Sequence, residues 1–180
     1  NQPSRRIRDL GIAYIPEDSP GVGMVEDFSL ELNLILTRHC HPPFSRCSLL
    51  NFNAIESHAR ALMAKYDIRP NDPSFPARWL SGGNKQRLVI ARELGQPHRV
   101  LIAVNPARGL DVLAARSLHR ALLEERDRGT AVFLVSTDLG ELMAISDRIA
   151  VLYRGELQGV METREAEADK LGRWMLGLAA

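Results

Sequence analysis

Two unbroken apolar runs, Val100–Val104 (VLIAV) and Ala131–Val135 (AVFLV), constrain the fold of this chain more than any other feature. Neither alternates polar with apolar, so each reads as a strand covered on both faces, and strands of that kind belong to parallel sheets. Between them, Val112 to Arg126 has helical spacing with Ala115, Leu118 and Leu122 on one face. Strand, helix and strand at this separation make a right-handed crossover. A helix over Leu139–Ile145 and a strand over Ile149 to Tyr153 repeat the unit, which predicts one parallel sheet holding all three strands. Arg154-Gly155-Glu156 reads as a tight turn into a last strand ending near Val160. Thr163 reads as the cap of a terminal helix with the stripe Leu171, Trp174, Met175 and Leu178.

The first part of the chain is richer in helix. Gly11 to Ile15 is a short apolar run ended by Pro16, which fits a buried strand, and a polar loop with Pro20, Gly21 and Gly23 follows. Ser29 to Leu36 has helical spacing at Leu32, Ile35 and Leu36. From Arg38 to Leu50 the composition of His, Pro, Ser and Arg reads as loop. Asn53 with Glu56 forms an Asn version of the capping box, opening a helix whose core stripe is Ile55, Ala59, Leu62, Met63 and Tyr66. Prolines at 70, 73 and 76 break it into a connector. No internal repeat is present.

Composition excludes several functions. The 180 residues, 45% hydrophobic and 25% charged, match one ordinary globular domain. A net charge of +1 gives no field to draw in nucleic acid. The longest apolar runs, at about five residues, are far short of a membrane span. The opening NQPSRRIRDL lacks the apolar stretch of a secretory signal and does not start with Met, so the expectation is a piece of a longer protein. Cys40 and Cys47 are too few for a disulfide scaffold. With His39 and His41 they could supply four zinc ligands, but the spacing matches no standard zinc pattern and Pro42-Pro43 follow at once. A surface loop is expected there, with no metal.

The chemistry concentrates in Leu80-Ser81-Gly82-Gly83-Asn84-Lys85-Gln86. Ser-Gly-Gly opening a helix offers backbone N–H groups, a helix N-terminus and a hydroxyl, which together suit a phosphate. A plain serine N-cap would explain Ser81 alone. The neighbours take it further: an apolar strand, then Asn105-Pro106-Ala107-Arg108-Gly109-Leu110-Asp111, then a second strand closing in Ser136-Thr137-Asp138-Leu139. In this order the motifs resemble the nucleotide-binding domain of ABC transporters, with its LSGGQ signature, Walker B, D-loop and switch histidine. LSGGNKQ and PARGLDV are similar to the second, C-terminal ATPase half of bacterial importers for simple sugars and nucleosides. GIAYIPED and RHCHPPFSR point to the nucleoside branch, and the likeness runs from about Arg6 to Gly177.

The resemblance implies a P-loop NTPase-like α/β fold, with a mostly parallel core sheet flanked by helices and an inserted helical subdomain. Residues 1–27 and 96–180 would form the core and 28–95 the subdomain carrying the signature. The phosphate loop and the adenine-stacking aromatic of the family would precede Asn1. Strands missing from that side would leave edges and apolar surface uncovered, so self-association of the isolated chain is expected. Glu17 replaces the Q-loop glutamine. The Walker B aspartate that holds Mg²⁺ falls on Val104, the carboxylate that polarises water on Asn105, and the switch histidine on Thr137. No intact catalytic residue is therefore expected, nor a metal ligand.

What stays is the half that serves a partner. The family pairs two such domains head to tail, so the resemblance implies that Ser81, Gly82, Gly83 and Asn84 contact ATP held by the partner. Asp111 would reach across the interface. Arg108 stands either as an interface charge or as a solvated loop arginine. The implied cofactors are ATP and Mg²⁺, bound mainly by the partner. The implied partners are an N-terminal ATPase half of the same polypeptide, transmembrane permease subunits and, indirectly, a substrate-binding lipoprotein, at the cytoplasmic face of the inner membrane. Hydrolysis would belong to the intact transporter, the isolated chain being inactive. A regulatory module without a catalytic part is the alternative. A DNA-repair type of ATPase head is disfavoured, because the 64 positions from Glu17 to Ser81 contain prolines and no heptads.

Overall fold

The computed structural model describes residues 2–178. A short helix α1 (Ser4–Asp9) leads into strand β1 (Ile12–Ile15), followed by α2 (Ser19–Val22) and α3 (Leu30–Ile35). A small hairpin, β2 (Ser45–Arg46) and β3 (Leu49–Leu50), precedes α4 (Phe52–Lys65) and α5 (Gly82–Leu94). Then come β4 (Val100–Val104), α6 (Val112–Asp127), β5 (Ala131–Val135), α7 (Leu139–Ile145), β6 (Arg148–Tyr153), β7 (Glu156–Glu162) and α8 (Ala168–Met175). The chain divides into two compact units within β5, one ending at Phe133 and the other starting at Leu134.

In the first unit the helices enclose their own buried interior. Leu30 and Leu34 of α3, Ala59, Leu62 and Met63 of α4, and Leu88, Val89 and Ala91 of α5 share one buried cluster. Ile55 closes a second with Ile35 and Phe44. The α4 stripe read from the sequence is thus core, and Tyr66 packs beside it. Its cap is different: Asn51, not Asn53, accepts the Ala54 N–H at 3.2 Å. The helix therefore begins two residues earlier, with Phe52 as its first residue, and Asn53 lies inside it. The stretch read as pure loop holds the β2–β3 hairpin, whose turn puts Cys47 and Ser48 at positive φ.

The sheet runs in the order β1-β4-β5, with β1 and β4 parallel from Ile12 opposite Val100 to Ile15 opposite Ala103. This register puts Ala13, Ile15, Leu101 and Ala103 on one face, all buried. On the other face of β1, Tyr14 is 42% exposed; in β5, Phe133 and Val135 are exposed. The both-faced burial predicted for these strands is therefore only half realised, and apolar surface is left uncovered. On the outer side of β1 the Tyr14 N–H is met by the Glu93 carboxylate of α5 rather than by a strand. Glu93 is fully buried and also binds Arg8 and Arg92.

The strand near Ile149 corrects the sequence reading. In the second unit β6 pairs antiparallel with β7 in a separate two-stranded sheet. Arg154 and Gly155 both have positive φ, the geometry that folds a chain straight back on itself. Burial alternates along β6, with Ile149 and Val151 inside and Ala150 and Leu152 outside, as in a strand covered on one face. Leu171 and Trp174 of α8 pack on this hairpin, but Met175 and Leu178 are exposed, so only half of that stripe is core. Thr163 opens a short 3-10 turn rather than capping α8, whose N-cap position is Glu167.

Candidate functional site

Ligands of open α/β sheets bind beyond the carboxyl ends of the strands. Pro16 and Glu17 follow β1 there, and Asn105 to Asp111 follow its neighbour β4. Three segments of the first unit meet at this place. The N-terminus of α5 brings the signature, the β1 exit brings Glu17, and the β4 exit brings the turn to α6.

Ser81 is the N-cap of α5, with extended backbone and its Oγ accepting the Asn84 N–H. The Asn84 side-chain amide also donates to that Oγ at 3.1 Å, while its oxygen accepts the Arg69 N–H at 3.0 Å. Two accepted bonds occupy the oxygen's lone pairs, so the hydroxyl proton is left to donate outward. Gly82 has open space where a side chain would stand, and a Cβ on Gly83 would lie 3.9 Å from the Gly109 carbonyl. The first N–H groups of a helix have no partner within it. This turn accordingly fits a phosphate group, with small residues letting it approach.

Gln86 was missed in the sequence reading. It is buried, and its Nε2 donates to the Pro106 carbonyl at 2.9 Å, tying the signature helix to the turn after β4. A polar residue between Lys85 and the apolar run Leu88–Ile90, on the inner side of α5, was the available signal. Asn33 was missed too. Fully buried on α3, it bonds both backbone groups of Val25 and so fixes the loop that runs on from Glu17. Lys85 pairs with Glu26 of that same loop.

The residues after β4 make a different kind of turn. Asn105 has φ +42, a left-handed backbone that asparagine tolerates better than most residues. Arg108 N–H bonds the Asn105 carbonyl at 3.0 Å, and its guanidinium pairs with Glu17 at 2.5 Å. Asp111 caps α6 by accepting the Ala114 N–H at 2.8 Å and stands 3.5 Å from Arg87, which also pairs with Asp67. Behind it, a groove of about 470 Å³ runs between the end of α4, α5 and α6. Thr137 belongs to the second unit, exposed ahead of the Asp138 cap of α7.

These residues do not fit a divalent cation. Val104 carries no donor atom, Asn105 offers a neutral amide, and Glu17 is already engaged by a guanidinium. Among the described residues no group of three or more metal-ligating side chains comes together. The resolved pKa shifts lie elsewhere: burial raises Glu31 and Tyr66, and burial with the nearby Arg38 charge lowers His58.

Known proteins resemble the chain over nearly its whole length. It is 38% identical over 98% of its length to a nucleoside import ATP-binding protein of Lactococcus lactis, and 40% identical over 98% to a guanosine import ATP-binding protein of Bacillus subtilis. A glucose import ATP-binding protein of Haloferax volcanii is 35% identical over 98% of the chain. The chain spans only 35% of the length of the first two and 32% of the third. Among solved structures, a dimeric ATP-binding cassette bound to ADP and Pi superposes with a TM-score of 0.71 at 20% identity, covering 89% of this chain and 66% of that one. A second dimeric structure of that bacterial ABC transporter cassette gives 0.73 with the same identity and coverage. No family profile matches the chain.

Proposed function

We propose that this chain, which has the fold of an ATP-binding cassette, is part of the ATP-binding subunit of an ABC importer for nucleosides or simple sugars. It is the degenerate half of that subunit, and its task is to complete the ATP site of a partner half. The observation that carries this reading is the contrast between a fully formed Ser81–Asn84 turn and a β4 exit bearing Val104 and Asn105 in place of carboxylates.

ATP supplies the phosphoryl group whose transfer to water drives transport. Phosphoryl transfer asks a protein for positioning and charge stabilisation more than for covalent chemistry. The Ser81 hydroxyl and the N–H groups of Gly82 and Gly83 donate to the terminal phosphate of a nucleotide held by the partner. Asn84 holds Ser81 in place, and Asp111 faces the dimer interface. The permease subunits receive the resulting motion at the cytoplasmic face of the membrane, where this domain is peripheral. No helix among the described residues is long and apolar enough to cross a bilayer. The 38–40% identity to the nucleoside and guanosine import proteins, above the 35% to the glucose import protein, favours a nucleoside cargo.

Steady-state ATP hydrolysis by the assembled importer tests the reading. Ser81→Arg places a long side chain where the phosphate must lie, and turnover should fall roughly a hundredfold or more, the scale of one lost charge-stabilising donor. Intact turnover in that variant would make this half a regulatory module instead.

A further inference from the structure

The misfit between this site and a divalent cation has a counterpart in Arg108. We propose that Arg108 is the built-in cation of this half's own nucleotide site: parked on Glu17 when the crevice is empty, its guanidinium moves onto the phosphates of an entering nucleotide, which this half then binds without Mg²⁺. The proposal rests on the importer reading above and adds a role for the half that lacks catalysis.

Four observations lead there. Arg108 and Glu17 stand beyond the carboxyl ends of adjacent parallel strands, where a nucleotide binds in a sheet of this kind. The backbone beneath Arg108 is fixed by its own N–H on the Asn105 carbonyl and by buried Gln86 on Pro106. Above that fixed base the side chain is 71% exposed and reaches Glu17 from 91 residues away in sequence. An ion pair this exposed is worth little, so a phosphate can take the arginine from the carboxylate at small cost.

Neighbouring cations are less available. Lys85 is held by Glu26 with a side chain only 14% exposed, and Arg87 lies between Asp67 and Asp111. A planar guanidinium can bind two phosphate oxygens at once and needs no carboxylate ligands to stay in place. Where Val104 and Asn105 cannot hold a metal, a tethered guanidinium can still neutralise phosphate charge. It offers no activated water, so binding without hydrolysis follows. The pairing with Glu17 then has its own use, keeping the crevice from presenting either a bare carboxylate or a bare cation between nucleotides.

ATP binding to the intact polypeptide, titrated by calorimetry in Mg²⁺ and again in excess EDTA, tests this. Two ATP per polypeptide are expected in Mg²⁺, and one should remain in EDTA with an affinity changed by no more than about threefold. Arg108→Ala should weaken that remaining site by about tenfold or more, the loss of one charge-assisted contact. Glu17→Gln should strengthen it by about threefold, because Arg108 no longer has to leave a carboxylate. This opposite sign cannot come from misfolding. A wild-type protein that keeps no ATP in EDTA overturns the proposal, as does Arg108→Ala binding like wild type. Retention of two ATP in Mg²⁺ in that case leaves the importer reading standing, whereas no ATP in either buffer overturns both.

Discussion

Two turns at the heart of this domain are built from opposite materials. The signature turn, Ser81 to Gln86, carries three neutral hydrogen bonds beside the Lys85–Glu26 pair: a serine cap, an asparagine bridging to Arg69, and a buried glutamine. The turn after β4 has a left-handed Asn105, an exposed Arg108–Glu17 pair and an aspartate spent on capping α6. Neutral bonds from a cap and a buried amide hold a backbone to a fixed shape, which positioning requires. Exposed charge pairs do not hold shape well, but they exchange partners easily. On the function proposed above, the difference separates a turn that shapes a neighbour's site from one without acid–base or metal chemistry of its own.

Cutting the tie between the two turns should have the largest effect on that scaffold. Gln86→Leu leaves the buried Pro106 carbonyl without its donor, and an unsatisfied buried acceptor costs about 2 kcal/mol. Urea unfolding should therefore register a loss of that size. If both turns depend on the tie, hydrolysis by the importer should fall as well. An unchanged unfolding midpoint would mean that the two turns are shaped independently.

Loosening the signature turn alone should cost less. Asn84→Ala removes two side-chain bonds near the surface, to Ser81 Oγ and Arg69 N–H, while the backbone cap on Ser81 survives. A loss of about 1 kcal/mol in stability is expected, as for typical single hydrogen bonds. The more telling readout is turnover, which should drop more than stability does if the pose of Ser81 matters. A variant as stable and as active as wild type would remove Asn84 from the site.

The strings at Ser81–Asn84 and Val104–Asp111, whose roles toward ATP are proposals, stand out in the sequence for a physical reason. Both are local strings whose residue types carry the chemistry, and Ser81 caps α5 as its position in LSGGN predicts. The runs at Val100–Val104 and Ala131–Val135 are strands with those same bounds. The failures are long-range. Gln86 binds a carbonyl 20 residues on, and Arg108 meets a carboxylate 91 residues back, contacts that no local pattern encodes. The strand at Ile149 failed for another reason. Its apolar composition suits a buried parallel strand equally well; the tight turn read at Arg154-Gly155-Glu156 is where β6 folds back into β7, but composition does not tell that this hairpin forms a separate sheet. Asn51 caps α4 without a capping-box partner, since the residue three on is Ala54, so the Asn53–Glu56 spacing pointed to the wrong asparagine.

The smallest expected effect belongs to the turn after β4, and its smallness is informative. In a hydrolysing site the residue just beyond this strand bears the carboxylate that orients water, and its removal is severe. Here Asn105 has a neutral amide that cannot accept a proton from water. Replacing it with alanine would confound chemistry with strain, since its φ of +42 disfavours side chains with a Cβ. Asn105→Gly keeps that backbone at ease and removes only the amide. Turnover of the assembled importer should change by no more than about twofold, under half a kcal/mol on the barrier. A hundredfold loss would mean that this half's own turn takes part in the chemistry, and the division between the two turns would then collapse.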